Sequence, residues 1–210
     1  PGVGENLHDH LQIRMVWKMK GANTLNERVH SIVGKAAMGL EYLLFKTGPL
    51  TMPPSQLGAF ARSSPSVVTP DMEWHVQPLS LDKFGDPLHP FGAITPSVCN
   101  LRPTSRGHIR IKSRDPMAAP EIKLNYLSTS EDQAVAASGM RFTRKIMAAP
   151  ALARFQPEEW RPGPAATTDA ELVKAAGDLG TTIFHPVGTC KMGEDPMAVV
   201  DSRLRVRGLR

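Results

Sequence analysis

From Leu11 to Lys18 the chain alternates, with apolar Leu11, Ile13, Met15 and Trp17 separated by Gln12, Arg14 and other intervening residues. A period of two predicts a strand with one buried face. The period then changes. Val29, Ile32, Val33, Ala36, Leu40, Leu43 and Leu44 recur at helical spacing, behind the capping-box pattern Thr24-x-x-Glu27 and ahead of the stop Thr47-Gly48-Pro49, which predicts one continuous helix. Residues 51 to 70, rich in Pro, Ser and Gly, predict a loop with room for a short strand at Leu57 to Ala61. Met72 to Leu79 alternates again, with Glu73, His75 and Gln77 on one side and Met72, Trp74 and Val76 on the other. That polar row either faces water or, if this side of the sheet covers a site, lines a pocket.

Three more strands are expected at Ala93 to Asn100, His108 to Ser113 and Glu121 to Asn125, making an antiparallel sheet with the others. A second helix is expected from Glu131 to Met147, with Ser128-x-x-Glu131 at its start, Val135, Phe142 and Ile146 along one face, and Gly139 marking a close helix contact. The proline-rich stretch Pro157 to Pro164 predicts a linker, Thr168-x-x-Glu171 caps a short helix ending near Gly177, and Leu204 and Val206 alternating with Arg203, Arg205 and Arg207 predict a terminal strand running to Arg210.

With 41% hydrophobic and 21% charged residues in 210, the chain can bury a core and belongs with globular proteins. A net charge of +5 admits an anionic partner. The basic residues are densest at Arg102 to Arg114 and Arg203 to Arg210, without the interleaved aromatics that stack bases, so nucleic acid is not expected; a basic interaction module binding some other anionic partner is the alternative reading. Two cysteines exclude a disulfide framework, and no apolar run approaches the ~20 residues of a membrane helix. The chain opens on Pro1 rather than methionine, and both ends read as internal to a longer chain. Its compartment is cytoplasmic or membrane-peripheral by default, and its oligomeric state is undetermined.

The segment Thr181-Thr182-Ile183-Phe184-His185-Pro186-Val187-Gly188-Thr189-Cys190 holds the histidine of greatest chemical interest. Pro186 biases His185 toward extended backbone, Gly188 permits a tight turn after it, and imidazole is the side chain best suited to take a proton near neutrality. Other chemistries have less behind them. Cys190 lies close to His185 in sequence without a thiol-hydrolase signature, no G-x-S-x-G elbow occurs, and His8, Asp9 and His10 lack identifiable further metal ligands. Gly2 and Gly4 have G-x-G spacing but no third glycine, and Ser105-Arg106-Gly107 reads as a turn into a strand rather than a phosphate site.

Several separated segments match one ordered pattern: Pro1-Gly2-Val3-Gly4-Glu5-Asn6-Leu7 through Asp9-His10, Thr47-Gly48-Pro49-Leu50, Arg102-Pro103-Thr104-Ser105-Arg106-Gly107, Ser113-Arg114-Asp115-Pro116, Asn125-Tyr126-Leu127-Ser128, His185-Pro186-Val187-Gly188-Thr189-Cys190-Lys191-Met192-Gly193, and Val200-Asp201 through Leu204-Arg205-Val206. The chain resembles the glucose–methanol–choline (GMC) oxidoreductases, choline-dehydrogenase-like members in particular. The resemblance implies an α+β fold: a substrate domain with a largely antiparallel sheet flanked by helices, plus short segments of a Rossmann-type FAD-binding domain that is mostly missing. Residues 1-12 would be the tail of an FAD-domain segment, 13-165 the substrate-binding domain, and 166-210 a linker helix, the catalytic-histidine strip and the return to the FAD domain.

It further implies FAD as cofactor, a small-molecule alcohol as substrate, an electron acceptor (oxygen, quinone or another carrier), and His185 as the base that takes the substrate's hydroxyl proton while hydride passes to the flavin. Ile183, two residues earlier and on the same side of an extended strand, would lie near the pocket. Gln56, in Ser55-Gln56-Leu57-Gly58-Ala59-Phe60, would be a substrate-binding position where choline-handling relatives carry glutamate, and Phe184 stands where tyrosine is frequent. A neutral amide cannot pair with a quaternary ammonium, which sets choline itself in doubt. The glycine-rich pyrophosphate loop and a second catalytic residue would lie outside the chain.

Overall fold

In the computed structural model, which describes residues 1–53, 55–83 and 85–209, the opening alternation becomes two strands, β1 (Leu11–Arg14) and β2 (Val16–Lys18), separated by Met15. The expected one-sided burial is corrected: Gln12 and Arg14 are as buried as Ile13 and Trp17. Arg14 is accommodated by donating to the side-chain oxygen of Gln77 at 3.2 Å.

The single helix expected after Thr24 is two, α1 (Leu25–His30) and α2 (Ile32–Phe45). At Ser31 between them the backbone is extended, and the Ser31 hydroxyl accepts from the Gly34 N–H at 3.2 Å, so a local cap interrupts what the spacing joins. Thr24 makes no cap; its hydroxyl faces the Glu27 carboxylate instead. Ile32, Val33, Leu40, Leu43 and Leu44 are exposed, so the apolar stripe of α2 is not core.

Five of the remaining seven strands fall where the sequence puts them or close by: β3 (Leu57–Ala61), β4 (Met72–Gln77), β5 (Ala93–Asn100), β6 (His108–Arg110), β7 (Glu121–Lys123), then β8 (Glu158–Arg161) and β9 (Gly180–Thr182). The exceptions are β8, which occupies the stretch expected to be a linker, and β9, where the alternation outlines no strand. A seven-stranded sheet runs β3-β4-β5-β1-β9, with β2 paired to β5 and β8 to β2. Its pairs β1–β5, β2–β5, β2–β8, β3–β4 and β4–β5 are antiparallel. Strands β6 and β7 form their own antiparallel pair, outside the one sheet expected for them. Helices α3 (Ser130–Met147) and α4 (Asp169–Leu179) complete an α+β architecture. The α4 capping box between Thr168 and Glu171 is fully formed. Residues 203–207 form no continuous strand, only a single bridge of Val206 to Val200, because Leu204 has φ +62° and Asp201 accepts from the N–H groups of Arg203 and Arg205; Arg210 lies outside the described residues.

The chain divides into two units: residues 1–11, 102–133 and 182–210, and residues 12–101 and 134–181. Residues 102–133, expected within a 13-165 domain, go with the terminal segments because Leu7 and Gly107 exchange backbone hydrogen bonds of 3.0 and 2.7 Å and Ile109 N–H donates to Gly4 at 2.7 Å. Gly107 permits this approach: a Cβ there would lie 1.8 Å from the Lys123 carbonyl oxygen.

In the second unit, α3 lies against β4 and β5. Gly139 makes a close contact, but with the sheet rather than another helix: a Cβ there would meet the Val98 side chain at 3.0 Å. In the first unit, the opening turn of α3 is capped by Thr129, one residue later than expected, while the Ser128 N–H goes to Ser105. Asp132 accepts from the N–H groups of Thr104 (2.8 Å) and Ser105 (2.9 Å) and so holds the turn at 103–107. Asp132→Ala leaves those two N–H groups without their acceptor and is expected to cost about 1–3 kcal/mol, read as a lower urea midpoint at unchanged slope.

Candidate active site

His185 stands in the loop after β9, and the whole loop is stitched to the start of the chain. His8 and Val187 exchange backbone hydrogen bonds of 3.0 and 2.9 Å, Gly4 N–H donates to Thr189 at 2.9 Å, and the Asn6 amide donates to the Gly188 carbonyl at 3.3 Å. Gly188 is required here, since its φ is +101° and a Cβ would sit 2.2 Å from the Asn6 carbonyl oxygen.

Beneath the loop lies Asp9, only 3% exposed. Its Oδ1 accepts from the N–H of His10 (2.8 Å) and the N–H of His185 (3.0 Å); its Oδ2 accepts from the hydroxyls of Tyr126 (2.6 Å) and Thr182. The Thr182 hydroxyl in turn accepts from the Phe184 N–H at 2.8 Å. Burial alone would raise the Asp9 carboxyl, but the hydrogen bonds from Thr182, Tyr126, His10 and His185 outweigh it and hold it below the ordinary carboxylate range. Burial, and then the bond to Asp9 and its charge, push the Tyr126 phenol up. Asp132 behaves like Asp9: burial raises it and its bonds to Ser105 and Thr104 lower it further.

The sign of the pH dependence follows. Carboxylates whose folded pKa is depressed contribute stability that is fully present above the ordinary range, about pH 4, and is lost as pH falls through the depressed values. Acid titration is therefore expected to loosen the first unit below about pH 4, and Asp132→Asn is expected to flatten that limb in a pH series of denaturation midpoints.

His185 itself presents an exposed ring, edge-on to the His10 ring at 5.6 Å and 71°. Beside it Phe184 and Val187 are exposed apolar side chains. The backbone is not extended through this stretch. Phe184 has φ +67°, so the period-two argument that put Ile183 and His185 on one side fails, and Ile183 is half-buried. Gln56, in the second unit, is exposed just before β3; its N–H donates to Val76 and its side-chain amide lies 2.9 Å from the Met52 sulfur. The polar row of β4 is half-buried at Glu73 and His75 and buried at Gln77, and Cys99 pairs with Glu73 in register, so this face is not open to water.

Asp9, which the sequence did not single out, is the buried carboxylate beneath the loop; metal was set aside for His8, Asp9 and His10, and the two Asp9 oxygens accept from two N–H and two O–H donors. His8 is held below its usual pKa by burial, then by Arg106 and His10. Cys190 is exposed and makes no hydrogen bond to His185 among the described residues, which leaves a thiol hydrolase without geometry. Four arginines of the basic stretches are locally paired: Arg106 donates to Asn6 and to the carbonyls of Pro103 and Ser105, Arg110 meets Glu5 at 3.2 Å, Arg205 meets Asp201 at 2.7 Å and Arg207 meets Glu194 at 3.2 Å. No described helix is long and apolar enough to cross a membrane.

Comparison with known proteins adds the following. The sequence pattern described as GMC oxidoreductase matches residues 103–210. An alcohol dehydrogenase (acceptor) of Pseudomonas putida is 39% identical over 211 residues, and an oxygen-dependent choline dehydrogenase of Acinetobacter baumannii (strain AYE) is 38% identical over 209. Both alignments cover 100% of this chain and 38% of the relative, so the chain spans well under half the length of the curated relatives it matches. Among solved structures, a pyridoxine 4-oxidase from Mesorbium loti is 25% identical with a TM-score of 0.79, covering 100% of this chain and 37% of that one. A variant formate oxidase of Aspergillus oryzae RIB40 has a TM-score of 0.88 at 22% identity, covering 100% and 41%, a likeness of fold.

Proposed function

The chain belongs to the GMC oxidoreductase family, and from that premise we propose that it carries the substrate-side machinery of an FAD-dependent oxidation of a primary or secondary alcohol to an aldehyde or ketone. The observation that carries the reading is an exposed imidazole, His185, on a loop whose backbone is fixed by a buried carboxylate.

The residues fit part of a flavin site. An imidazole flanked by exposed Phe184 and Val187 offers one proton acceptor in an apolar surround, which suits the edge of a flavin ring and the alcohol lying against it. No glycines here form the G-x-G-x-x-G turn that would cradle a pyrophosphate. Bound FAD would supply the acceptor for the hydride. The chain's part is to orient the alcohol with its hydroxyl toward the ring of His185 and to take that proton, so that the electrons of the O–H bond can form the carbonyl as hydride leaves the carbon.

His185 carries the proposal, and Ile183 is left out of it now that no shared strand face links the two. Gln56 enters as a substrate position of neutral character: it offers hydrogen bonds but no counter-charge, so the proposed substrate is an uncharged alcohol rather than choline. The acceptor that reoxidises the flavin is proposed only as a class, oxygen, a quinone or another carrier.

The test is anaerobic mixing of the FAD-loaded holoenzyme with a panel of alcohols while the visible flavin band is followed. Bleaching by an uncharged alcohol, with slower bleaching by choline, is the expected result; bound flavin that no alcohol reduces would remove the reading. The alternative of a basic module on an anionic partner has less in its favour, because Arg106, Arg110, Arg205 and Arg207 already meet carboxylates or carbonyls.

A further inference from the structure

We propose that Asp9 is the positioning residue for His185: a buried carboxylate that sets the imidazole by holding the loop backbone on both sides of it. The inference rests on His185 being the base, and it concerns how the ring is held rather than what it does.

The two oxygens divide the task. Oδ1 takes the N–H of His10 and the N–H of His185, so one atom fixes the main chain beneath both rings that meet edge to face at 5.6 Å. Oδ2 takes the Thr182 hydroxyl hydrogen, and the same hydroxyl oxygen accepts from the Phe184 N–H, fixing the residue with φ +67° that turns the loop just before His185. Tyr126 completes the set at 2.6 Å. With His8 and Val187 bonded to each other, the N–H groups of residues 184, 185 and 187 all end on Asp9, on its partner Thr182 or on His8. A non-glycine residue at positive φ is strained, and it persists where its surroundings over-determine it. Asp9 supplies that determination.

Asp9 does not itself reach the chemistry. It is buried and its donors are structural, so its effect on the reaction passes through the geometry of His185. A base displaced by about 1 Å loses on the order of a hundredfold. Asparagine in its place can still accept both backbone N–H groups on its oxygen and donate from its amide to the two hydroxyls, which rotate to accept. Alanine can do neither.

The experiment uses the holoenzyme with Asp9→Ala, Asp9→Asn and Thr182→Val, each also combined with His185→Ala. Hydrogen exchange by mass spectrometry on the segment 182–188 is read beside the anaerobic flavin reduction rate. Asp9→Ala is expected to speed exchange of that segment at least about tenfold while residues 134–147 keep wild-type protection, and to slow reduction about ten- to a hundredfold with substrate affinity within about threefold. Asp9→Asn should rescue both readouts to within about threefold, and Thr182→Val should fall between, which keeps the proposal open to test if Asp9→Ala folds poorly. In the His185→Ala background, Asp9→Ala should cost almost nothing more, since a residue acting through His185 has nothing left to position.

Wild-type exchange in Asp9→Ala, a general rise in exchange throughout the protein, or an additive loss in the double variant would each overturn the proposal. If the wild-type holoenzyme reduces no flavin with any alcohol, the functional reading fails by itself, and the exchange comparison still decides whether Asp9 holds the loop.

Discussion

Replacing His185 by alanine is expected to slow flavin reduction by alcohol about 10²–10⁴-fold, the range for a positioned general base, while flavin still binds. The substitution is unusually clean because the loop is held through the main chain. The His185 N–H that meets Asp9 at 3.0 Å is present in alanine too, and the ring that is lost is exposed and buries little. The loss in rate therefore reports the missing proton acceptor rather than a collapsed loop. Stopped-flow reduction at saturating alcohol measures the loss. Equal rates in the two proteins would leave the family assignment standing and take the base away from His185.

That histidine was legible in the sequence because its signals are local. Pro186 and Gly188 flank it, and the strip from His185 to Gly193 sits in an ordered set of motifs. Asp9 was not legible, because it meets its loop across 176 positions of sequence and no periodicity reaches that far. Gly107 was hidden too, because its lack of a side chain answers to the carbonyl of Lys123 in the facing strand.

The fold shows where alternation succeeds and where it stops. β5 occupies the whole stretch Ala93–Asn100 that the pattern outlined, and the capping box of α4 forms as written, since both are properties of a few adjacent residues. Alternation tells which residues share a face but not what lies against that face. Gln12 and Arg14 were read as the outer side of a half-exposed strand and are buried, whereas Val33, Leu40 and Leu43 were read as a core stripe and are exposed. The break at Ser31 was invisible for a different reason. A serine hydroxyl that bonds the Gly34 N–H competes with the helix at one point, and a seven-position apolar period spans that point without registering it.

The largest stability loss is expected at Trp74, at the centre of the second unit. Its side chain is 1% exposed, its ring centroid lies 5.1 Å from that of Phe142, and its indole N–H donates to the Thr143 hydroxyl at 2.8 Å. That hydroxyl donates onward to the Gly139 carbonyl at 2.8 Å, so the indole is tied to the part of α3 that approaches the sheet most closely. Trp74→Ala removes the ring and leaves a cavity that the sheet and helix can only partly close, for a loss of about 3–5 kcal/mol. Against a total of about 5–15 kcal/mol for a domain, this should leave the second unit barely folded at 25 °C. Thr143→Val separates the polar part from the packing: it keeps the volume, strands the indole N–H, and should cost about 1–3 kcal/mol. Trp74→Phe removes the donor together with part of the ring, so combining it with Thr143→Val should cost less than the two single losses added. Urea unfolding followed by circular dichroism measures all four proteins. A loss under about 1 kcal/mol for Trp74→Ala would mean that the contact of α3 with β4 and β5 is not the core of this unit.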